Sequence, residues 1–162
     1  MGQKITSMAG HKSQKGFTII EVLIVLAIAG LILLIVFLAV PALQRNSRNT
    51  QRRTEVARFA GAVSEWASNQ NGALPSTALH LTTAGSGVNA LANFSFITPP
   101  TTVTATAATV TNAATVTTIQ YVPGTICNGA NATSTNASSR QFTILYATES
   151  STGAAVPQCQ AS

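Results

Sequence analysis

The sequence has no aspartate, four glutamates, two histidines and two cysteines in 162 residues, and only 8% of it is charged. Each shortage excludes some chemistry. Without aspartate there is no Ser/His/Asp triad, and nothing suggests a glutamate in its place. Calcium loops draw on several carboxylates; the ninety residues from Ala73 onward hold one, Glu149, and one cation, Arg140. No Cys/His grouping has metal-ligand spacing. Gly85-Ser86-Gly87 is a lone flexible turn, weak as a phosphate loop. His80 reads as a surface or loop residue. The expectation is a non-enzyme with no cofactor, no metal and no small-molecule substrate.

What is present is a long apolar run. Val22 to Val40 contains nothing but Val, Leu, Ile, Ala, Gly and Phe over nineteen residues. With Phe17 to Ile20 in front, it reaches the roughly 20 residues that a bilayer-spanning helix needs. It is apolar on every side, so it has no solvent face and belongs in lipid or among other protein. One carboxylate, Glu21, sits near its start, where an ionisable group needs a partner and points to function. The bland alternative is a side chain snorkelling to the interface.

The stretch Gly16-Phe17-Thr18-Ile19-Ile20-Glu21, with a short basic leader before it and the apolar run behind, resembles the class III signal of type IV pilins and pseudopilins. The resemblance covers about residues 12–60. It implies that a prepilin peptidase cuts between Gly16 and Phe17, that Phe17 is N-methylated, and that Glu21 is the carboxylate guiding assembly. It further implies a single-pass subunit of the cytoplasmic membrane, with its head outside. The pilus assembly machinery would then draw the subunit into an extracellular homopolymer serving adhesion, motility or DNA uptake. Other copies and the membrane are the expected partners, with DNA or a host surface as further candidates. Two other readings stay open. One is a pseudopilin of a type II secretion or competence system, which shares this N-terminus. The other is a membrane-anchored surface binding protein that never polymerises.

The formal charge of +5 is misleading once the leader is set apart. Lys4, Lys12 and Lys15 all precede the expected cut, leaving six arginines against four glutamates. A basic pI is then no argument for a nucleic-acid binder. A secretory signal places its apolar core before the cut; here the core follows it and is retained. Charge and motif disagree on orientation. Arg45, Arg48, Arg52, Arg53 and Arg58 follow the span, and a positive-inside count would put that side in the cytoplasm. The resemblance puts the leader there instead, and it is the more specific signal.

The expected organisation is a leader over 1–16, a long helix over 17–72 and a Ser/Thr/Ala/Asn-rich head over 73–162. The helix divides into a membrane or filament-core part, 17–40, and an amphipathic outer part, 41–72. Gly30 and Pro41 are its breakers, and Asn71-Gly72 followed by Pro75 reads as its stop. At 100° per residue, Arg45, Arg48 and Arg52 share a stripe that Val56, Phe59, Val63 and Trp66 continue. The apolar part should carry the head, while the basic part should lie below it at headgroup level. Within the head, Thr115–Val122 and Gln141–Thr148 read as strands and Phe94–Thr98 as a weaker one. In the second, alternation puts Phe142, Ile144 and Tyr146 on one face. The fold class is α+β, a small antiparallel sheet on the outer half of the helix. Residues 101–118, made only of Thr, Val, Ala and Asn, could equally be a disordered or glycosylated stalk. Asn93, Asn131 and Asn136 begin N-glycosylation patterns of the kind that arise by chance in such a composition.

Cys127 and Cys159 are expected to form a disulfide, because the anchor implies export and the count is even. Closing a loop of about 33 residues would stabilise by roughly 3.5–4 kcal/mol in the chain-entropy picture. Two free thiols remain the alternative in a reducing compartment.

Overall fold

A computed structural model describes residues 16–104, 109–134 and 137–162. The leader before Gly16, part of the Thr/Val/Ala tract and Asn136 lie outside the described residues. Two compact units divide the chain, one up to Val40 and one from Pro41 to Ser162. Helix α1, Ile19–Asn69, carries both breakers, Gly30 and Pro41, within it.

In the first unit every residue from Gly16 to Val40 is exposed. Among the described residues α1 is the one helix long and apolar enough to cross a membrane, its best window reaching a mean hydropathy of 3.4. Such a surface is stable only in lipid or against other protein.

In the second unit, α1 from Pro41 to Asn69 is amphipathic. Val56, Phe59, Ala62 and Val63 are buried on one face, together with Arg52 and Glu55. The expected apolar stripe is the one buried, with Trp66 packed beside it. The helix ends where the sequence says it should. Asn71 and Gly72 take positive φ values of 56° and 85°, and the Gly72 amide donates back to the Ala67 carbonyl at 2.8 Å, a left-handed C-terminal cap. Two short helices follow, α2 (Ala78–Thr82) and α3 (Val88–Ala92). His80 is half-buried on α2 rather than in a loop, its ring 4.8 Å from that of Trp66.

The strands are β1 (Thr109–Val110), β2 (Gln120–Pro123), β3 (Ile126–Asn128), β4 (Asn131–Thr133), β5 (Phe142–Glu149) and β6 (Ala155–Ala161). They form two antiparallel three-stranded sheets, ordered β2-β5-β6 and β1-β4-β3. The sequence expectation of one sheet needs revising, since the strands form two, while the expected strand face in β5 is present. Phe142, Ile144 and Tyr146 do share one face, packing with Val56, Phe59 and Tyr121. The opposite face is also buried: Leu145 packs with Val110, Val122 and Ala132 of the second sheet. A strand covered on both sides need not alternate apolar with polar, and Thr143 meets this by bonding its hydroxyl to that of Thr125 at 2.7 Å.

The other two strand expectations change too. Residues 115–118 form a turn, because the hydroxyl of Thr118 accepts from the Thr115 amide at 2.9 Å, local bonding that competes with a ladder; the strand begins at Gln120. Phe94–Thr98 is not a strand: the amides of Ser95, Phe96 and Ile97 donate to the Glu55 carboxylate on α1, and only Thr98 forms an isolated bridge, with Thr118. Cys127 and Cys159 are joined by a disulfide that links β3 to β6, and so one sheet to the other.

Candidate processing and assembly site

The chain enters α1 through Gly16-Phe17-Thr18, which has no regular structure and is fully exposed. Phe17 leaves 89% of its surface open. At Thr18 the helix is capped in two directions. The Thr18 amide donates to Glu21 Oε2 at 2.8 Å and the Thr18 hydroxyl to the same oxygen at 2.7 Å. The Glu21 amide donates in return to Thr18 Oγ1 at 3.4 Å. This is a capping box, in which threonine and glutamate three residues apart satisfy each other's otherwise unpaired amides. Glu21, near the start of an apolar helix, is therefore not alone within the subunit. Thr18 was missed by the sequence reading, although Thr-x-x-Glu ahead of an apolar run is itself a capping signature.

Gly16, Phe17 and Glu21 thus fall within about one turn of each other. The peptide bond at 16–17 is exposed and lies outside the helix, with the Glu21 carboxylate four residues on. A cut there would leave an amine beside the positive end of the helix, where a carboxylate is the favourable neighbour. Gly30 and Pro41 lie far along the helix and take no part in this cluster.

The profile of the prokaryotic N-terminal methylation motif matches residues 11–37. The segment is a type IV pilin-like class III signal. No curated protein and no solved structure matches the chain. The motif implies handling by a prepilin peptidase and the pilus assembly machinery. Together with the apolar helix, it fits a membrane-anchored precursor. Among the described residues there is no group of three or more His, Cys or Glu that could hold a metal ion.

A second polar cluster, wholly within the head-bearing unit, holds this pilin-like head on its helix. Glu149, at the end of β5, pairs with Arg48 Nη2 and Arg52 Nη2, each at 2.6 Å. Arg52 also donates to the Val116 carbonyl at 2.7 Å and lies with its guanidinium carbon 5.4 Å from the Phe96 ring centre. Asn49 bonds both backbone groups of Glu149, at 2.9 and 2.8 Å. The two guanidinium groups hold the Glu149 carboxyl at about 2, with Arg48 the larger influence.

One turn further on, Glu55 is buried. Burial alone would raise its pKa, but hydrogen bonds from the Ser95 hydroxyl and the Ile97, Ser95 and Phe96 amides outweigh it and hold the carboxyl below its usual range. These bonds run from 2.7 to 3.0 Å. Arg58 adds a looser contact at 3.5 Å. The expectation that the arginines after the span lie below the head is therefore corrected for Arg48 and Arg52.

Proposed function

We propose that the chain is the structural subunit of a type IV pilus-like extracellular filament. On this reading the precursor sits in the cytoplasmic membrane, is cut between Gly16 and Phe17, and is N-methylated at Phe17. It then leaves lipid for a helical homopolymer serving adhesion, motility or DNA uptake. The observation that carries the proposal is the exposed Gly16–Phe17 junction leading through a Thr18–Glu21 capping box into an entirely unburied apolar helix. A helix apolar on all sides exchanges lipid contact for packing against its own copies with little loss, since dispersion contacts replace those of the acyl chains. Glu21 gives the exchange direction by leaving Thr18 for the methylated amine of Phe17 on a neighbour. Head-to-tail contacts of this kind build open filaments.

The test is electron microscopy of filaments sheared from cells that make the protein, with mass spectrometry of their subunit. The expected mass is that of residues 17–162 carrying one methyl group and one disulfide. A subunit retaining Met1 to Gly16, or the absence of any filament containing it, would overturn the reading.

A further inference from the structure

The outer part of α1 presents a face that the head does not cover. Opposite the buried line of Arg52, Val56, Phe59 and Val63 runs a line of small exposed residues: Thr50, Thr54, Ala57, Gly61, Ser64 and Ser68. Its hydroxyls are already satisfied. Thr50, Thr54, Ser64 and Ser68 each donate to the carbonyl four residues back, at 2.9–3.0 Å. A Cβ added at Gly61 would meet nothing within 4 Å. Such a face can be brought against another helix without stranding a donor.

Unpaired charge lies on either flank of this line. At about 100° per residue, Arg53 stands about 60° to one side of it and Glu65 about 60° to the other. Both are exposed, and neither has a partner among the described residues. The remaining glutamates are occupied: Glu21 by Thr18, Glu55 by residues 95–97, and Glu149 by Arg48 and Arg52. Among the cations without an ion pair, Arg45 is half-buried on the side of the helix turned to the head. Arg140 is held over Gly72, where an added Cβ would come within 3.2 Å of its guanidinium. That leaves Arg53 as the cation placed to meet Glu65. The two cannot meet within one chain, because twelve residues separate them by about 18 Å along the helix axis.

We propose that Arg53 of one copy pairs with Glu65 of the next, and that this contact sets an axial offset of about 18 Å between neighbouring parallel helices. Each copy then offers its Arg53 flank to one neighbour and its Glu65 flank to the other, with the small-residue line letting the two backbones approach. The contact joins different patches, so it repeats without closing. A single exposed ion pair adds little affinity. Its effect lies in register, because a misplaced copy sets like charges together. The contact rests on the filament reading above.

The test uses the full chain with its assembly machinery. Arg53→Cys and Glu65→Cys are introduced together, and sheared filaments are treated with a short bismaleimide and run under non-reducing, denaturing conditions. The expected result is a ladder of covalent multimers from the double variant and only monomer from either single variant. In parallel, Arg53→Glu or Glu65→Arg alone should lower filament yield at least about tenfold, and the combined reversal should restore it. Wild-type filaments whose double-cysteine form gives no ladder, or single reversals that assemble normally, overturn this contact alone. A wild-type chain that forms no filament overturns the filament reading and this contact with it.

Discussion

Glu149 is the head's one carboxylate, and it carries two guanidinium groups. Its carboxyl is held at about 2 against an ordinary value of 4.5, and Glu55 is lowered as well. The folded protein therefore binds fewer protons than the unfolded chain as acid is added. The stability that Glu149 contributes is complete above about pH 4.5 and is lost as the pH falls toward about 2, and the Glu55 contribution is likewise lost on acidification. A thermal-melting series of the purified protein in detergent should show this fall, and Glu149→Gln should flatten it; an unchanged pH profile in that variant would assign the acid sensitivity elsewhere. At the other end of the chain, Glu21→Ala removes a carboxylate from an apolar helix, so membrane insertion should be kept. What is lost is the acceptor for Thr18 and, on the proposed assembly, for the Phe17 amine. Fractionation should find the variant in the membrane, while the yield of sheared filaments drops to little or none. The importance of Glu21 was legible because a lone carboxylate in an apolar run is costly. The partners of Arg48 and Arg52 were not, because Glu149 is about a hundred residues away and only the fold brings it near.

The long helix was legible as an element: apolar residues without interruption, then a stripe at helical spacing, then a left-handed stop at Asn71-Gly72. The small strands were less so. Thr and Val favour strands in general, but Thr115 to Thr118 spend their hydroxyls on a turn. Phe94, Phe96 and Ile97 have strand-like side chains, yet the amides of Ser95, Phe96 and Ile97 go to Glu55. Neither outcome is written in local periodicity. Within α1, the segment from Gly30 to Pro41 is helical in the single subunit. Pro41 lacks its own donor and leaves the Phe37 carbonyl without its helical partner, and Gly30 costs about 1 kcal/mol relative to alanine. Lipid forbids opening such backbone, whereas a surround of other protein tolerates it. Some part of 30–41 should therefore lose helicity on assembly. A filament density map with an unbroken helix through these residues would contradict this.

At the scale of the whole chain, the α+β class followed from one long helix ahead of a strand-rich, nearly uncharged remainder. The division of the strands into two sheets did not follow, because a strand buried on both faces, as β5 is, looks like any short apolar run. Between these sheets lies the Cys127–Cys159 bond. Seen as connectivity rather than packing, it turns residues 127–159 into a covalent ring that includes both hairpins, leaving α1 outside it and only three residues beyond. On the proposed function the head is exported and meets proteases, and a ring has to be cut twice before a piece can leave. One cleavage anywhere from Asn128 to Gln158 should give a product that runs as intact chain without reductant and as two fragments with it. Limited proteolysis read on paired gels checks this, and fragments that separate without reductant would show the ring to be open.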